Sequence, residues 1–440
     1  MPGITAPHVH KVLSRYMVAE GLPFVCDLER SHGVWVHDAR NGKEYLDLFS
    51  FYAALPLGFN HPKLRGKKFL EKLVRVSIQK PANPDAYTVE LAEAVETFSK
   101  RAGRPGLPHL FFIDGGALAV ENCLKAAFDW KVKKNFEKGL KEEKGHRVIH
   151  FRQAFHGRSG YTLSLTNTYD LRKTKFFPTF DWPRIENPKL RFPVTDEVLK
   201  ETEAAEQRAL KQIDDAFTRY PDDIAAIIIE PIQGEGGDNH FRAEFLRELR
   251  RIADEREAML IFDEVQCGFA ITGKMWAYAN FGVEPDMLAF SKKTQVGGFM
   301  CGRRIEEVQD NVFAEPTRIS STWGANLTDF VRLAQILEIM FEEDTLTNVI
   351  KTGERLMAGM LELQKEFPAL VTNARGRGLM CAFDLPSPDL RDQARVAVFE
   401  AGAIMLGCGQ NALRFRPALN ITLKEVDAAI DLVRKGLRAM

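Results

Sequence analysis

Five short apolar runs, separated by stretches long enough for helices, constrain the fold of this chain most. They are HLFFID at 109–114, RVIHF at 147–151, IAAIIIE at 224–230, AMLIFDE at 258–264 and DMLAFS at 286–291. Within each run the apolar residues are nearly continuous and do not alternate with polar ones, which is typical of strands buried on both faces. The pattern therefore predicts an α/β fold built around a mainly parallel sheet.

Helical patterns occupy the stretches around these runs. We predict one helix over about 117–130 and another over about 201–217, each with one apolar face. Near the end of the chain, Thr422 and Glu425 have the spacing of a capping box that opens a further helix. Residues 33–49 predict a hairpin that turns at an Asn-Gly dipeptide. The strand-helix rhythm ends near residue 331, so we expect a separate, smaller unit after it.

Charge and composition exclude several classes of protein. Sixty Lys and Arg balance sixty Asp and Glu, so no net field favours a nucleic acid partner. With 45% hydrophobic and 27% charged residues the chain is not disordered. It has neither a signal-peptide pattern nor an apolar run long enough to cross a bilayer, so we expect a cytoplasmic protein that does not contact membranes. Its six cysteines form no CxxC pair, so we predict reduced thiols and no metal site.

Small and acidic residues follow two of the predicted strands. Gly116 and Ala117, in the segment DGGA, could present backbone N–H groups and a helix N-terminus to a phosphate, although a tight strand-to-helix turn without a ligand is the simpler interpretation. Asp263 ends another apolar run. A buried carboxylate there requires a cation nearby, such as a protonated ring nitrogen, a metal or an arginine, unless it caps a helix.

Basic residues follow the other strand ends. Lys292 and Lys293 come directly after DMLAFS, where desolvation would produce a nucleophilic amine, although a solvated pair is the simpler reading. Phe155 and Arg158, in FHGR, offer an aromatic face and a guanidinium. Arg414, in RFR, could bind a carboxylate through two hydrogen bonds, or form a structural salt bridge.

In this order along the chain, these residues resemble the class III (ω-amino acid) aminotransferases, which are pyridoxal 5'-phosphate (PLP) enzymes of fold type I. The GGALAVEN, HGRSGYTLSLTNT and KKTQ stretches are typical of the members that act on lysine. The other matching stretches are LDLFSFYAALPLGFNHPKL, EPIQGEGGD, IFDEVQ, STWGANLTD and LRFRPALNIT. The resemblance implies a large PLP-binding domain over 56–330 and a smaller α/β domain built from both termini, 1–55 and 331–440.

The resemblance also implies how the cofactor is held. Lys293 would form the Schiff base and move the substrate proton, because in the family the first glycine of the following pair lies four residues after this lysine, and here that glycine is Gly297. Asp263 would pair with the pyridine nitrogen, Gln266 would contact the ring hydroxyl and border the substrate, and Phe155 would stack on the ring.

The phosphate site implied by the resemblance is shared between two chains. Gly116 and Ala117 would bind the phosphate through backbone N–H groups, and Thr322 would reach it from the other subunit. A homodimer follows from this arrangement.

For the substrates, the resemblance assigns Arg158 to the carboxylate of L-lysine and Arg414 to the α-carboxylate of 2-oxoglutarate. Glu235 would neutralise Arg414 while lysine reacts and swing away when 2-oxoglutarate binds. The implied reaction is a ping-pong transfer of the ε-amino group of L-lysine to 2-oxoglutarate. Its products are L-glutamate and 2-aminoadipate 6-semialdehyde, which cyclises to piperideine carboxylate.

Three positions depart from the family pattern, and several alternatives stay open. Cys267, Ala270 and Pro84 stand where relatives often have Thr, Gly and Ser, and a positive φ at Ala270 would cost about 1 kcal/mol. The main alternative substrates are ornithine and 4-aminobutyrate. An aminomutase or decarboxylase of the same fold and a non-catalytic, PLP-binding regulator are further alternatives.

Overall fold

The computed structural model describes residues 3–440, and its helices and strands alternate along much of the chain. The helices are α1 Val9–Leu13, α2 Ser50–Ala53, α3 Lys67–Ser77, α4 Val89–Arg101, α5 Gly116–Glu137, α6 Gly160–Leu165, α7 Asp196–Arg219, α8 Ala243–Glu255, α9 Leu327–Glu342, α10 Thr345–Glu366, α11 Pro388–Ala401 and α12 Leu423–Arg438. Short 3-10 helices lie at Ala6–His8, Pro62–Arg65, Leu171–Lys173, Ala277–Asn280, Lys292–Thr294 and Arg303–Glu307.

The strands form one large sheet and several small ones. They are β1 Trp35–His37, β2 Glu44–Asp47, β3 His109–Ile113, β4 Arg147–Phe151, β5 Arg184–Ile185, β6 Ile224–Ile229, β7 Ile232–Gln233, β8 Asn239–His240, β9 Met259–Asp263, β10 Met287–Phe290, β11 Gly297–Cys301, β12 Thr372–Arg377, β13 Met380–Asp384, β14 Ala403–Ile404, β15 Leu406–Cys408 and β16 Ala412–Phe415.

The large sheet has the strand order β3-β11-β10-β9-β6-β4-β5. Neighbouring strands from β10 to β5 pair in parallel, and only β11 runs against its two neighbours. The carboxyl ends of β3, β4, β6, β9 and β10 therefore meet at one edge of the sheet, which is where parallel sheets bind ligands. The mainly parallel α/β sheet predicted from the apolar runs is confirmed.

The core explains why these runs are continuous. β6 and β9 are buried along their whole length, because α5 packs on one face of the sheet and α8 on the other. On the α5 side, Leu124 and Trp130 join a buried cluster with Ile228, Ile261 and Phe299. Strands covered on both faces need apolar residues at nearly every position, so these strands show no alternation of apolar and polar residues.

The predicted helices and the hairpin are present with different bounds. α5 extends to Glu137 and α7 begins at Asp196, so both helices are longer than their apolar stripes indicated. Thr422 and Glu425 form both hydrogen bonds of the capping box at the start of α12. β1 and β2 pair antiparallel, as the hairpin prediction required.

The two ends of the chain meet in a small sheet of order β1-β2-β14, in which β14 pairs in parallel with β2. A further antiparallel sheet has the order β12-β13-β16-β15 and carries Arg414 on β16. This pairing agrees with a unit built from both termini, and the exact boundaries 1–55, 56–330 and 331–440 stay a prediction. Residues 1 and 2 of the first segment lie outside the described residues.

Membrane-spanning helices, metal-ligand clusters and cysteines are described here for residues 3–440. In that range no helix combines the length and apolar character that a membrane crossing requires. No group of three or more His, Cys, Asp or Glu side chains within the same range is arranged to hold a metal ion. All six cysteines are free, and five of them are buried.

Candidate active site

A cavity of about 350 Å³ lies at the carboxyl edge of the large sheet. Its walls come from the residues that follow β3, β4, β6, β9 and β10, so the sheet topology brings together segments far apart in sequence. The lining residues are Gly116, Ala117, Phe155, His156, Gly157, Arg158, Ser159, Glu230, Asp263, Val265, Gln266 and Lys292.

Asp263 is fixed at the base of this cavity. Its side chain is nearly inaccessible, with 3% of the residue surface exposed. One carboxylate oxygen accepts a hydrogen bond from Nδ1 of His156 at 2.8 Å, and the other accepts one from the backbone N–H of Val265 at 3.0 Å. These two bonds hold the carboxylate plane, and the histidine had no role in the sequence interpretation.

The N-terminus of α5 forms another wall. The helix begins at Gly116, after Gly115 with φ +88°, so its first backbone N–H groups have no partner within the helix. A Cβ added at Gly116 would lie 2.8 Å from Cγ1 of Val265, so only glycine keeps this space open. Free N–H groups and the positive end of the helix favour an anion here, as the DGGA segment predicted.

The two adjacent lysines after β10 have different environments. Lys292 adopts φ +59° and lines the cavity. Lys293 is 1% exposed, and its Nζ donates a hydrogen bond of 2.7 Å to the backbone carbonyl of Gln266. The left-handed turn at Lys292 therefore directs the first amine to the cavity and leaves the second in the core.

The structure places Lys292, and not the predicted Lys293, on the wall of this cavity. The choice of Lys293 counted four residues back from Gly297, but Val296 is the fourth residue after the lysine that reaches the cavity. A count of residues across a turn cannot identify the side chain that points inward, because one left-handed residue changes the direction of the chain. The identity of the cofactor lysine stays a prediction, and the cavity wall favours Lys292 over Lys293.

Burial lowers the pKa of both amines, as desolvation of a cation requires. The pKa of Lys292 falls to about 8, through burial and then the nearby charge of Arg414. The pKa of Lys293 falls to about 7, through burial and then the charge of Lys292. Both amines lose their protons near neutral pH, so the geometry, not the pKa, distinguishes them.

Glu230 supports the aromatic wall and the following loop, a role that the EPIQGEGG motif alone did not reveal. One of its carboxylate oxygens accepts the backbone N–H of Phe155 at 2.9 Å, and the other accepts that of Gly234, also at 2.9 Å. Burial raises the pKa of Glu230 to about 7. A Cβ at Gly234 would lie 2.5 Å from Oε1 of Gln266, so the loop packs directly against that side chain.

A second cavity, of about 610 Å³, adjoins the first and includes Tyr52, Lys173, Glu235 and Arg414. We call these four residues the mouth. Glu235 lies between two cations: Oε2 is 3.0 Å from Nη2 of Arg414, and Oε1 is 2.7 Å from Nζ of Lys173. Burial alone would raise the pKa of Glu235, yet the charges of Arg414 and Lys173 lower it. The resemblance implied the first pair, and Lys173 was missed.

Tyr52 lies on a strained turn. The four residues of α2 all have positive φ, from +37° at Ser50 to +63° at Ala53, in a segment without glycine. The centroid of the Tyr52 ring lies 5.7 Å from Nζ of Lys292 and 5.8 Å from Cζ of Arg414. Left-handed residues other than glycine cost about 1 kcal/mol or more each, and such strain concentrates at functional sites. No sequence signal indicated this turn.

Two of the predicted residues, one for the substrate and one for the cofactor, are exposed to solvent. Arg158 lines the first cavity and is exposed to solvent. Thr322 is exposed and lines neither cavity of the single chain. Its approach to the phosphate from another subunit stays a prediction.

The three departures from the family pattern are placed as follows. Ala270 has φ +70°, so the strain considered from the sequence is present. Pro84 packs near Gly324, where an added Cβ would lie 2.9 Å from Cγ of the proline. Cys267 is buried, and its thiol donates a weak hydrogen bond to the carbonyl of Asp263 at 3.7 Å. None of these residues lines either cavity.

These groups together fit PLP. A helix N-terminus suits its phosphate, the Asp263 carboxylate suits a protonated ring nitrogen, and an amine of lowered pKa suits its aldehyde. The space beside Gly116 that any side chain would fill agrees with a phosphate cradle.

Comparisons with known proteins identify the family of this chain. The family model described as Aminotransferase class-III matches residues 16–437. The chain is 50% identical to the L-lysine-epsilon aminotransferase of Mycobacterium tuberculosis over 98% of its own length and 96% of the relative's. It is 48% identical to that of Streptomyces clavuligerus, over 99% and 95%.

The fold of this chain also matches a solved structure. Lysine aminotransferase from M. tuberculosis in the internal aldimine form superposes with a TM-score of 0.97 at 49% identity, over 99% of this chain and 100% of that one. The fold type expected from the sequence is confirmed, and PLP is the cofactor of this family. The chain therefore belongs to the class III aminotransferases.

Proposed function

We propose that this aminotransferase moves the ε-amino group of L-lysine to 2-oxoglutarate by a ping-pong mechanism. The first half-reaction releases 2-aminoadipate 6-semialdehyde, which loses water on cyclising to piperideine carboxylate. The second half-reaction releases L-glutamate. About half of the residues are identical to those of relatives named for lysine, which supports the donor.

One observation carries the proposal: Arg414 is neutralised by Glu235 at the mouth, beside Lys292. A free guanidinium next to the reacting amine would bind the α-carboxylate of any amino acid. With Glu235 in place, the site instead accepts a substrate end without a carboxylate, such as the ε-ammonium of lysine. When Glu235 moves away, Arg414 can bind 2-oxoglutarate, so a single charge selects between the substrates.

The residues of the first cavity would hold PLP, which supplies an electron sink for the electrons left when the substrate loses a proton. Asp263 would keep the ring nitrogen protonated, and His156 would orient that carboxylate. Gln266 would contact the ring hydroxyl, and Phe155 would cover one ring face. Gly116 and Ala117 would bind the phosphate through backbone N–H groups, assisted by Thr322 of a second subunit in a homodimer.

Lys292 would bind the cofactor and move the proton. Its lowered pKa supports this role, because far more of this amine than of an ordinary lysine is neutral and able to accept a proton between pH 7 and 8. In the first half-reaction Nζ takes a proton from the ε-carbon of lysine, and in the second it delivers one to the α-carbon of 2-oxoglutarate. Arg158, exposed on the cavity wall, would bind the α-carboxylate of lysine. We expect the enzyme to act in the cytoplasm.

The test is to mix the purified holoenzyme with L-lysine and 2-oxoglutarate and to assay glutamate and the cyclic imine. Ornithine and 4-aminobutyrate, tested in parallel, are the competing donors. We expect both products from lysine and a higher kcat/KM for lysine than for either competitor. Normal glutamate formation from ornithine or 4-aminobutyrate, with none from lysine, would refute the donor and leave the family intact. No glutamate from any donor would favour an aminomutase, a decarboxylase or a regulator.

A further inference from the structure

Lys173 has a single ion-pair partner, Glu235, in the part of the chain that the structure describes. It ends the short helix Leu171–Lys173, while the preceding Arg172 is bound by both carboxylate oxygens of Asp170. The Nζ of Lys173 also lies 5.9 Å from the centroid of the Phe155 ring. The amine of Lys173 therefore lies on the side of the mouth that faces Phe155 of the first cavity, and it contacts the Glu235 carboxylate proposed to act as a gate.

The two partners of Glu235 bind different oxygens and differ in exposure. Arg414 is bound to Oε2 and its side chain is 3% exposed, whereas Lys173 is bound to Oε1 and its side chain is 28% exposed. A rotation of Glu235 that breaks the inner pair can therefore leave the outer pair intact. A carboxylate that kept neither partner would stay desolvated and unpaired, which is costly.

Resting on the proposed function, we infer that Lys173 is the second docking point of the Glu235 gate and a positioning residue for 2-oxoglutarate. Lys173 retains Glu235 when Arg414 is released to bind a carboxylate. Without Lys173, Glu235 would pair with Arg414 alone, and the incoming dicarboxylate would have to displace a stronger pair. Lysine, which reacts while Arg414 is covered, would be affected little.

The experiment compares Lys173→Gln with the unmodified holoenzyme in separate half-reactions. We expect kcat/KM for 2-oxoglutarate to fall about tenfold, mainly through KM, while that for lysine changes less than about twofold. A binding readout uses glutarate, a dicarboxylate without the keto group, whose Kd we expect to rise about tenfold in titration calorimetry. Lys175→Gln is the matched control, because it removes the same charge from an exposed side chain two residues away.

Two further variants separate positioning from simple attraction of an anion. Lys173→Arg, which can still donate to Glu235, should restore most of the 2-oxoglutarate reaction. In a Glu235→Gln background, Lys173→Gln should have no further effect, because it acts through that carboxylate. The inference would be overturned if the double variant lost kcat/KM for 2-oxoglutarate by the product of the two single-variant losses. It would also be overturned if Lys173→Gln lowered kcat/KM equally in both half-reactions. Failure of the unmodified enzyme to use lysine would instead refute the proposed function.

Discussion

The base of the cofactor cavity and the mouth differ in how they are built. We call His156, Asp263 and Lys292 the floor. Asp263 ends β9, whereas His156 and Lys292 follow β4 and β10 of the same sheet. A direct buried hydrogen bond between His156 and Asp263 holds the floor. The mouth takes Tyr52 from a left-handed turn, Lys173 from a short helix, Glu235 from a glycine-rich loop and Arg414 from a separate sheet.

From this difference we expect the floor to serve the reaction itself and the mouth to serve the choice of substrate. The floor has one arrangement because its members are fixed by buried strands of a single sheet. The mouth contains one carboxylate and two cations, so its ion pairs can exchange without leaving a charge unpaired. Changes to the floor should therefore lower both half-reactions, whereas changes to the mouth should alter the balance between substrates.

The largest effect should come from the lysine in the floor. We expect Lys292→Met to lower the lysine half-reaction by about 10⁴-fold, since the moving proton loses its acceptor. Lys293→Met, matched in size and charge change, should stay within about tenfold, because that amine contacts only the carbonyl of Gln266 and the core. Stopped-flow absorbance of the cofactor measures both. If Lys293→Met were inactive and Lys292→Met active, Lys293 and not Lys292 would be the proton acceptor.

A smaller loss should follow removal of the carboxylate charge of Asp263, which would pair with the ring nitrogen of the cofactor. We expect Asp263→Asn to slow both half-reactions by about 100-fold, because an amide cannot keep a ring nitrogen protonated. Glu264→Gln is the control: this neighbouring carboxylate, with a pKa raised by burial to about 8, binds the backbone N–H groups of Ala277 and Tyr278 away from the cavity. Steady-state rates with both substrates test the two variants. Equal losses of rate in Asp263→Asn and Glu264→Gln would show that Asp263 has no special role.

In the mouth, the effect should appear in selectivity. Glu235→Gln leaves Arg414 without its carboxylate, so we expect the ratio of kcat/KM for lysine to that for L-alanine, an α-amino acid, to fall about tenfold. Glu96→Gln, an exposed helix position paired with Lys100, should leave the ratio unchanged. Competition between the two amino donors measures it directly. An unchanged ratio in Glu235→Gln would show that the mouth does not select.

The smallest effect concerns the second lysine. Burial lowers the pKa of Lys293 from about 10.5 to about 7, so between these pH values the unfolded chain binds the extra proton. Stability should therefore rise with pH in this window, by about 1–2 kcal/mol between pH 7 and 9, and Lys293→Met should lack that rise. Urea unfolding of both proteins at pH 7 and 9 tests the sign. The same pH dependence in both would place a proton on Lys293 throughout the window.

Much of the floor was predictable because strand ends leave a local record in the sequence. The apolar runs located Asp263 and the lysine pair, since a continuous buried strand must end where polar residues begin. The sequence could not show which lysine of the pair lines the cavity, because that depends on one backbone angle, φ +59° at Lys292. His156 was visible in FHGR, but its bond to Asp263 requires β4 and β9 to lie in the same sheet, on either side of β6.

The mouth was harder to predict for a physical reason. Glu235 and Arg414 lie 179 positions apart, and only the resemblance paired them before the structure brought them to 3.0 Å. Lys173 belongs to no apolar pattern, and the left-handed turn of Tyr52 contains no glycine that would have indicated it.

The sequence by itself determined the α/β class, five of the seven strands of the large sheet, the family and the residue types expected at the cofactor site. These properties depend on local composition and on short motifs, which the chain carries in order. Only the tertiary structure decided which lysine faces the cavity and which cation holds the outer oxygen of Glu235. Both outcomes depend on side-chain directions set by left-handed turns and by packing between distant segments, and neither is encoded in the spacing of residues.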